Sequence, residues 1–122
     1  MENQNEILNL AKNIARVLDN KKAHNVQILK VTDKTIIADY FVIANGTSST
    51  QVKSLADEVE YQIGEKQGIK PANIEGRGQG NWVLLDYENV IVHVFNPQTR
   101  EFYNLEKLWA ECEKVEFEQI SE

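Results

Sequence analysis

The sequence predicts an α/β fold in which a single mixed β-sheet of about five strands packs against helices. Two segments repeat apolar residues at the three- and four-residue spacing of an amphipathic helix. Between them, residues 40–44 form an uninterrupted apolar run, which is typical of a central strand. Residues 82–87 and 90–95 predict a β-hairpin, and an antiparallel hairpin cannot belong to an all-parallel sheet.

The first half of the chain predicts a helix, two strands and a second helix. The apolar stripe of the first helix is Ile7, Leu8, Ala11, Ile14, Ala15 and Leu18. Residues 24–31 then predict a strand, 32–34 a turn and 40–44 the central strand. Ser48 is a suitable cap for the second helix, with Gln51 as its capping-box partner. The stripe of that helix is Val52, Leu55, Ala56, Val59 and Ile63.

The second half predicts a short strand or loop, the hairpin and a last helix. Residues 73–77 form the strand or loop, and a flexible glycine-rich stretch follows up to Gly80. The hairpin connector is Glu88–Asn89 instead of the favoured Asn-Gly, so the pattern leaves the turn type open. Pro97 is suited to the first position of a helical turn. The last apolar stripe is Leu105, Leu108, Trp109 and Cys112, with Asn104 as cap.

Length and composition indicate one globular domain. The chain has 122 residues, of which 42% are hydrophobic and 26% charged, so it can bury a core without disulfides or metals. A domain over residues 1–110 and an acidic tail over 111–122 are expected, and the tail either extends the last helix or frays. One cysteine, no signal peptide and no membrane-spanning run favour a cytoplasmic location.

The charge of the chain disfavours nucleic acid as its main partner. The formal net charge is -6 and the estimated pI is about 5.0, whereas proteins that grip phosphate backbones usually carry a basic face. We therefore expect little direct nucleic-acid contact. An acidic protein more naturally meets a basic partner.

Two glycine-containing segments resemble phosphate sites, but simpler interpretations are favoured. Residues 46–49 join a strand to a helix, and a helix start can hold an anion. No Gly-Lys-Ser/Thr follows, so a turn glycine and a helix cap are favoured. Gly76, Gly78 and Gly80 precede a strand, whereas a dinucleotide fingerprint follows one, so a mobile loop is expected there.

No catalytic, metal-binding or cofactor-binding set emerges from the spacings. Nucleotidyl transfer would need paired carboxylates to hold metal ions. Asp57 and Glu58 are adjacent and point to different faces of a helix, and Glu88 of the Asp86-x-Glu88 pair lies at a hairpin turn. His93 is expected either at an interface or in the core, and both options stay open.

The hairpin carries the other unusual feature. Its two strands alternate large apolar or aromatic residues on both faces. One face must be covered by helices, and the other is either covered as well or free as a docking surface, because aromatic residues and arginine commonly anchor protein interfaces.

Four blocks in order resemble the ribosomal silencing factor family, also called the Iojap family. The blocks are residues 39–49, 82–87, 90–95 and 103–109, within a similarity that spans roughly residues 5–110. The resemblance implies a nucleotidyltransferase-like fold without an active site and a translation factor that is not an enzyme. Such a factor binds the large ribosomal subunit through ribosomal protein fourteen, blocks joining of the small subunit and slows translation when nutrients are scarce.

The resemblance also implies a binding region on the hairpin. The expected partner-binding residues are Trp82, Asp86, Tyr87, His93, Phe95 and Arg100. The family often has Gly-Asp where this chain has Glu88–Asn89, so contacts made by this turn stay open. Two alternatives also remain, a metal-dependent nucleotidyltransferase-like enzyme and a homodimeric scaffold that uses the same strand face.

Overall fold

A computed structural model describes residues 4–33, 35–102 and 110–117, with side chains except those of residues 100–102. The helices are α1 (Gln4–Asn20), α2 (Ser49–Gln67) and α3 (Pro97–Phe102). The strands are β1 (His24–Lys30), β2 (Tyr40–Asn45), β3 (Asn73–Glu75), β4 (Trp82–Asp86), β5 (Val90–Phe95) and β6 (Glu113–Val115). The predicted α/β class with one mixed sheet is confirmed, with six strands among the described residues in place of about five.

The sheet has the strand order β3-β4-β5-β2-β1-β6. β2 and β5 pair in parallel at the centre, and the other neighbours pair antiparallel. The parallel pair is possible because α2 lies between β2 and the later strands and returns the chain across the sheet. The strong apolar run of β2 therefore occupies the central position that the sequence predicts.

One face of the sheet, the helix side, packs against α1 and α2. Five side chains of α1 or α2 with no exposed surface show the pattern that the helical spacing predicts; they are Ile14, Leu18, Val52, Val59 and Ile63. Val42 and Val92 meet these helices from the sheet. Burial of a single such side chain stabilises the fold by about 1.5–3 kcal/mol. Among the described residues, this side of the sheet holds the larger of the two buried apolar clusters.

The opposite face of the sheet, called the outer face below, has its own apolar cluster. Leu29, Ile43 and Phe95 are fully buried there, and Phe41 and Cys112 lie at its margin. Every residue of β5 is buried, so the central strand is covered on both faces. The interpretation of a sheet covered on both faces is therefore confirmed for β5, and a wholly solvent-exposed outer face is excluded.

Local signals at the helix ends agree with the structure. The Ser48 hydroxyl accepts a hydrogen bond from the backbone N–H of Gln51, as expected of an N-cap. Gly68 ends α2 in the left-handed conformation, with φ of 66°. Asn96 Oδ1 accepts from the Thr99 backbone N–H at 2.8 Å, so Asn96 caps the short helix that Pro97 opens.

The end of the chain differs from its prediction. Residues 113–115 form strand β6, which pairs with β1 at the sheet edge, so an extended helix or a frayed tail is wrong for this stretch. The predicted stripe at Leu105, Leu108 and Trp109 lies outside the described residues. Within the described part of the chain, no helix is both long and apolar enough to cross a membrane.

Candidate docking surface

The β4–β5 hairpin sorts its side chains onto the two faces of the sheet. In the antiparallel register Trp82 faces Phe95, and Leu84 faces His93. These four side chains lie on the outer face, because directly opposed residues share a face. Their sequence neighbours Val83 and Leu85 point to the helix side and are fully buried.

Trp82 is held by an aromatic cluster on the outer face. Its indole N–H donates to His93 Nδ1 at 3.1 Å, and its ring meets that of Phe95 edge-on, with centroids 5.3 Å apart. Phe41 meets the His93 ring edge-on at 4.8 Å. Because Nδ1 accepts the indole hydrogen bond, the proton of the neutral imidazole belongs on Nε2. Burial lowers the pKa of His93 to about 4, so the ring is neutral at physiological pH.

One edge of the outer face remains partly open to solvent. Trp82, Leu84 and Asp86 alternate along β4 and are each only partly buried, and these three residues are called the β4 strip below. The strip is bordered by carboxylates. Glu75 lies opposite Leu84 on the short edge strand β3, and Glu88 is exposed at the hairpin turn. An apolar centre with an acidic rim is an arrangement that fits a basic protein surface.

The structure separates the six residues that the sequence predicts for partner binding. Trp82 and Asp86 lie on the β4 strip. His93 is on the same face but is only 6% exposed, and Phe95 has no exposed surface. Tyr87 points to the helix side, where it is 5% exposed. The backbone of Arg100 lies in α3, and its side chain falls outside the described part.

Tyr87 has a buried hydroxyl with no hydrogen-bond partner among the described residues. Burial, and then the negative charge of Glu60, raise the pKa of Tyr87 to about 12. The phenol is therefore neutral at all physiological pH values. Its position indicates a packing role beneath the hairpin turn.

The strand-to-helix junction at residues 45–49 is closely packed. A Cβ on Gly46 would lie 2.9 Å from both Cγ2 and the backbone nitrogen of Val52, so only glycine fits there. A Cβ on Gly80 would come within 2.9 Å of the Ser49 carbonyl oxygen. The glycine-rich loop therefore lies directly against the first turn of α2. This contact supports the interpretation of the junction as a cap.

Three carboxylates of α2 form ion pairs with basic side chains. Arg77 Nη2 contacts Asp57 at 2.7 Å and Glu60 at 2.8 Å, and its hydrogen bond to Glu60 is the main cause that raises the pKa of Arg77. Glu58 instead faces Lys21 of the α1–β1 connection, at 3.9 Å. Asp57 and Glu58 therefore point to different faces, as predicted. Within the described ranges, no cluster of three or more potential metal ligands occurs.

Comparison with known proteins shows the family of this chain. The sequence model of a family described as "Ribosomal silencing factor during starvation" matches residues 4–122. The chain belongs to the ribosomal silencing factor family. The match runs past residue 110, so the family similarity extends into the segment 111–122 that the sequence assigns to an acidic tail.

Relatives of this family member occur in bacteria and in a mammal. A Halalkalibacterium halodurans protein named ribosomal silencing factor RsfS is 42% identical over 120 residues and covers 98% of both chains. A mouse protein named mitochondrial assembly of ribosomal large subunit protein 1 is 30% identical, over 80% of this chain and 43% of its own length. A crystal structure of a Chromobacterium violaceum protein superposes with a TM-score of 0.77 at 32% identity, covering 95% and 92% of the two chains.

Sequence reasoning misses three features of this surface. Leu84 belongs to the strip and Glu75 to its rim. Ile36 is exposed in the segment between β1 and β2, which joins the hairpin turn through the hydrogen bond from the Asp39 N–H to the Asn89 carbonyl. Strand alternation places Leu84 with Trp82, so the pattern contains that signal. The pairing of β3 with β4 puts Glu75 on the rim, and no local pattern predicts which residues face each other across that pair.

Proposed function

We propose that this chain is a translation repressor that binds the large ribosomal subunit through ribosomal protein fourteen and blocks joining of the small subunit under nutrient limitation. Family membership supports the general role in ribosome silencing. The name of the mouse relative refers to the large ribosomal subunit, which supports that subunit as the partner. The proposed place of action is the cytoplasm.

The observation that carries the proposal is the β4 strip with its acidic rim. Trp82 is the kind of aromatic anchor that dominates binding energy at protein interfaces. Glu75 places negative charge beside Leu84, Asp86 and Glu88 place it at the hairpin-turn end of the strip, and the whole chain carries a net charge of -6. Ribosomal proteins are mostly basic, so the charges favour encounter with such a partner over bare RNA.

The six predicted residues receive different roles in this proposal. Trp82 and Asp86 contact the partner directly, together with Leu84. His93 and Phe95 act from below by fixing the orientation of the Trp82 ring. Tyr87 supports the hairpin from the helix side, and Arg100 is proposed as an additional contact on α3.

The proposed mechanism is steric. Subunit joining requires two wide surfaces to approach, so a 14.0 kDa domain on one of them prevents contact by its volume. We propose that no catalysis, metal or cofactor takes part. The ion pairs of Asp57 and Glu58, together with the closed first turn of α2, support this proposal over a nucleotidyltransferase-like activity.

Sedimentation of purified subunits tests the function. We expect saturating protein to reduce formation of joined ribosomes and to co-sediment with the large subunit alone. Undiminished joining at saturation rejects the proposal. Nucleotide with Mg²⁺ should leave the melting temperature unchanged, whereas a clear increase favours the enzyme alternative.

Two variants locate the docking surface. Trp82→Ala should weaken binding to the large subunit about thirtyfold or more, because the loss of an interface anchor costs about 2 kcal/mol or more of binding free energy. Glu75→Lys changes an exposed carboxylate beside the strip and should slow association with ribosomal protein fourteen about three- to tenfold at low salt.

Glu65→Lys, the same charge reversal at an exposed position of α2, is the matched control and should leave the association rate near that of the wild type. If both charge reversals act equally, only net charge matters and the proposed location is wrong. A folded Trp82→Ala variant that binds fully also contradicts it.

A further inference from the structure

Two neighbouring isoleucines are exposed to solvent beside the hairpin. Ile36 is fully exposed, at 103%, and Ile37 is 64% exposed. Isolated apolar residues are common on protein surfaces. Two adjacent isoleucines at this exposure, however, leave a larger apolar area in contact with water and not packed against the protein. They lie in the segment 32–39 between β1 and β2, which is called the isoleucine loop below and is described except for Lys34.

The isoleucine loop is held in place by hydrogen bonds. The Val31 backbone N–H donates to the Asp39 carbonyl at 2.9 Å and closes the base of the loop. The Thr35 N–H donates to the Val31 carbonyl at 3.0 Å, and the Ile37 N–H donates to the Thr35 hydroxyl at 3.2 Å. A loop fixed in this way can present its two isoleucines without a large ordering cost on binding.

The isoleucine loop adjoins the β4 strip. The backbone N–H groups of Asp39 and Tyr40 both donate to the carbonyl of Asn89 in the hairpin turn, at 2.8 and 3.2 Å. Ala38 is buried in the outer-face cluster against which Trp82 and Leu84 pack. One continuous apolar layer therefore runs from the β4 strip to the root of the loop.

The charges around the loop are also continuous with those of the strip. Asp33 and Glu88 are exposed, and Asp39 and Asp86 are partly exposed. Lys30 is at the same end of the sheet, but it follows Leu29 and points to the helix side by strand alternation. Residues 32–39 contain Asp33, Lys34 and Asp39, and Asp86 and Glu88 follow at the adjoining hairpin turn, so by sequence the carboxylates outnumber the one lysine of the loop. Net negative charge beside exposed isoleucines repels phosphate groups and attracts basic proteins.

We propose that the isoleucine loop is a second anchor of the docking surface, at which Ile36 and Ile37 enter an apolar hollow bordered by lysine or arginine side chains on the protein partner. This inference rests on the proposed function and deepens it by specifying the chemistry of the partner surface. Trp82 supplies one anchor at the start of β4, and the two isoleucines supply the other beyond the hairpin turn.

Binding of the purified chain to purified ribosomal protein fourteen tests the inference. The double variant Ile36→Ser with Ile37→Ser should weaken the affinity about tenfold or more, chiefly through faster dissociation. Asp33→Asn with Glu88→Gln should instead slow association and reduce its salt dependence. Both double variants change exposed side chains, so their melting temperatures should stay near that of the wild type.

Tyr61→Ser is the matched control, because Tyr61 of α2 is 65% exposed and lies on the other side of the molecule. It should bind as the wild type does. Wild-type affinity in the isoleucine double variant, alongside lost affinity in Trp82→Ala, overturns the second anchor and leaves the proposed function standing. If the wild type itself does not bind ribosomal protein fourteen, the proposed function is rejected, and the inference that rests on it is rejected with it.

The same double variant also distinguishes two other partners that could bind the isoleucine loop, a second copy of this chain and a membrane surface. If the double variant changes the protein from dimer to monomer while its affinity for ribosomal protein fourteen stays the same, the loop is a self-association surface and the inference is overturned. The second alternative is a membrane surface, tested by flotation with vesicles of neutral and anionic phospholipid. If the wild type floats, the double variant does not, and the affinity for ribosomal protein fourteen is unchanged, the inference is also overturned.

Discussion

Removal of the buried hydroxyl of Tyr87 is expected not to destabilise the protein. No described residue bonds it, so its desolvation is an uncompensated cost in the folded state. Tyr87→Phe should leave the free energy of unfolding unchanged or raise it by up to about 1 kcal/mol, as measured by urea denaturation. Affinity for the large subunit should also be unchanged, because the ring lies on the helix side. A loss of affinity in a fully stable variant would assign Tyr87 to the contact surface itself.

His93 predicts a pH dependence of stability. The folded-state pKa is about 4, whereas a free histidine titrates near 6.5. Between these values the unfolded chain binds more protons, so the free energy of unfolding falls as the pH decreases, by at most about 3 kcal/mol. His93→Gln keeps an acceptor for the Trp82 N–H and should flatten this dependence between pH about 7 and about 4.5.

The control for this experiment is His24→Gln, at the exposed first residue of β1. This variant should keep the wild-type pH profile in urea denaturation. An equally steep decrease in His93→Gln would show that other groups cause the loss of stability at low pH.

The residues of the hairpin show what strand alternation can and cannot predict. Alternation alone already separates Asp86 from Tyr87, so their grouping in one binding region contradicts the strand pattern. Burial of His93 and Phe95 is not readable from the hairpin sequence, because both faces carry large apolar side chains. Cover on the outer face comes from other parts of the chain, and the periodicity of a strand carries no information about those parts.

At the level of single elements, the hairpin turn holds a strained residue. Glu88 has φ of 72°, and the Asn89 N–H donates to the Tyr87 carbonyl at 2.9 Å, which together define a γ-turn with positive φ, a rare conformation. The Asp86 carboxylate accepts from the Glu88 N–H at 2.7 Å and helps to hold it. The sequence could not predict this turn, because Glu-Asn has no strong turn preference.

Glu88→Gly should stabilise the protein. Glycine at this positive φ removes strain of about 1–2 kcal/mol. Glycine also increases the conformational entropy of the unfolded chain, which offsets about 0.4–1 kcal/mol of this stabilisation. The net increase in the free energy of unfolding should be about 0.5–1 kcal/mol, as measured by chemical denaturation. Glu65→Gly in α2 is the matched control and should destabilise by about 1 kcal/mol. Destabilisation by both variants would show that Glu88 is not strained.

Most elements follow their local signals, and the exceptions have a common cause. The long helices and the central strand are predicted because their apolar periodicity is strong, as at Ile14 and Val42. β6 is missed because Glu113 and Lys114 are polar and exposed, and only pairing with β1 makes this segment a strand. Short edge strands depend on long-range pairing, which no local pattern records.

At the scale of the whole molecule, the order of the strands places β6, which contributes to stability, far from the proposed docking surface on β4. β6 lies at one edge of the sheet, and β4 lies beside the other edge. Val115 and Phe117 pack on the helix-side core from the β6 side, whereas the β4 strip takes no part in that contact. A change at β6 should therefore affect folding without altering the proposed contact surface.

Truncation after residue 110 tests this separation and the predicted boundary between domain and tail. Loss of β6 uncovers one side of β1 and part of the helix-side core, so the free energy of unfolding should fall by about 1–3 kcal/mol. Val115→Ser in the full chain should reproduce part of this loss, and Glu113→Ser, at an exposed position, should not. Below its new melting temperature, the truncated chain should still co-sediment with large subunits, because β4 lies at the other end of the sheet from β6. Of the described residues of the outer-face cluster, the truncation removes Cys112 at its margin and leaves Trp82, Leu84 and Phe95 in place. Wild-type stability after truncation would make residues 111–122 a dispensable tail, and lost binding in a folded truncated chain would place the contact surface at the β6 edge.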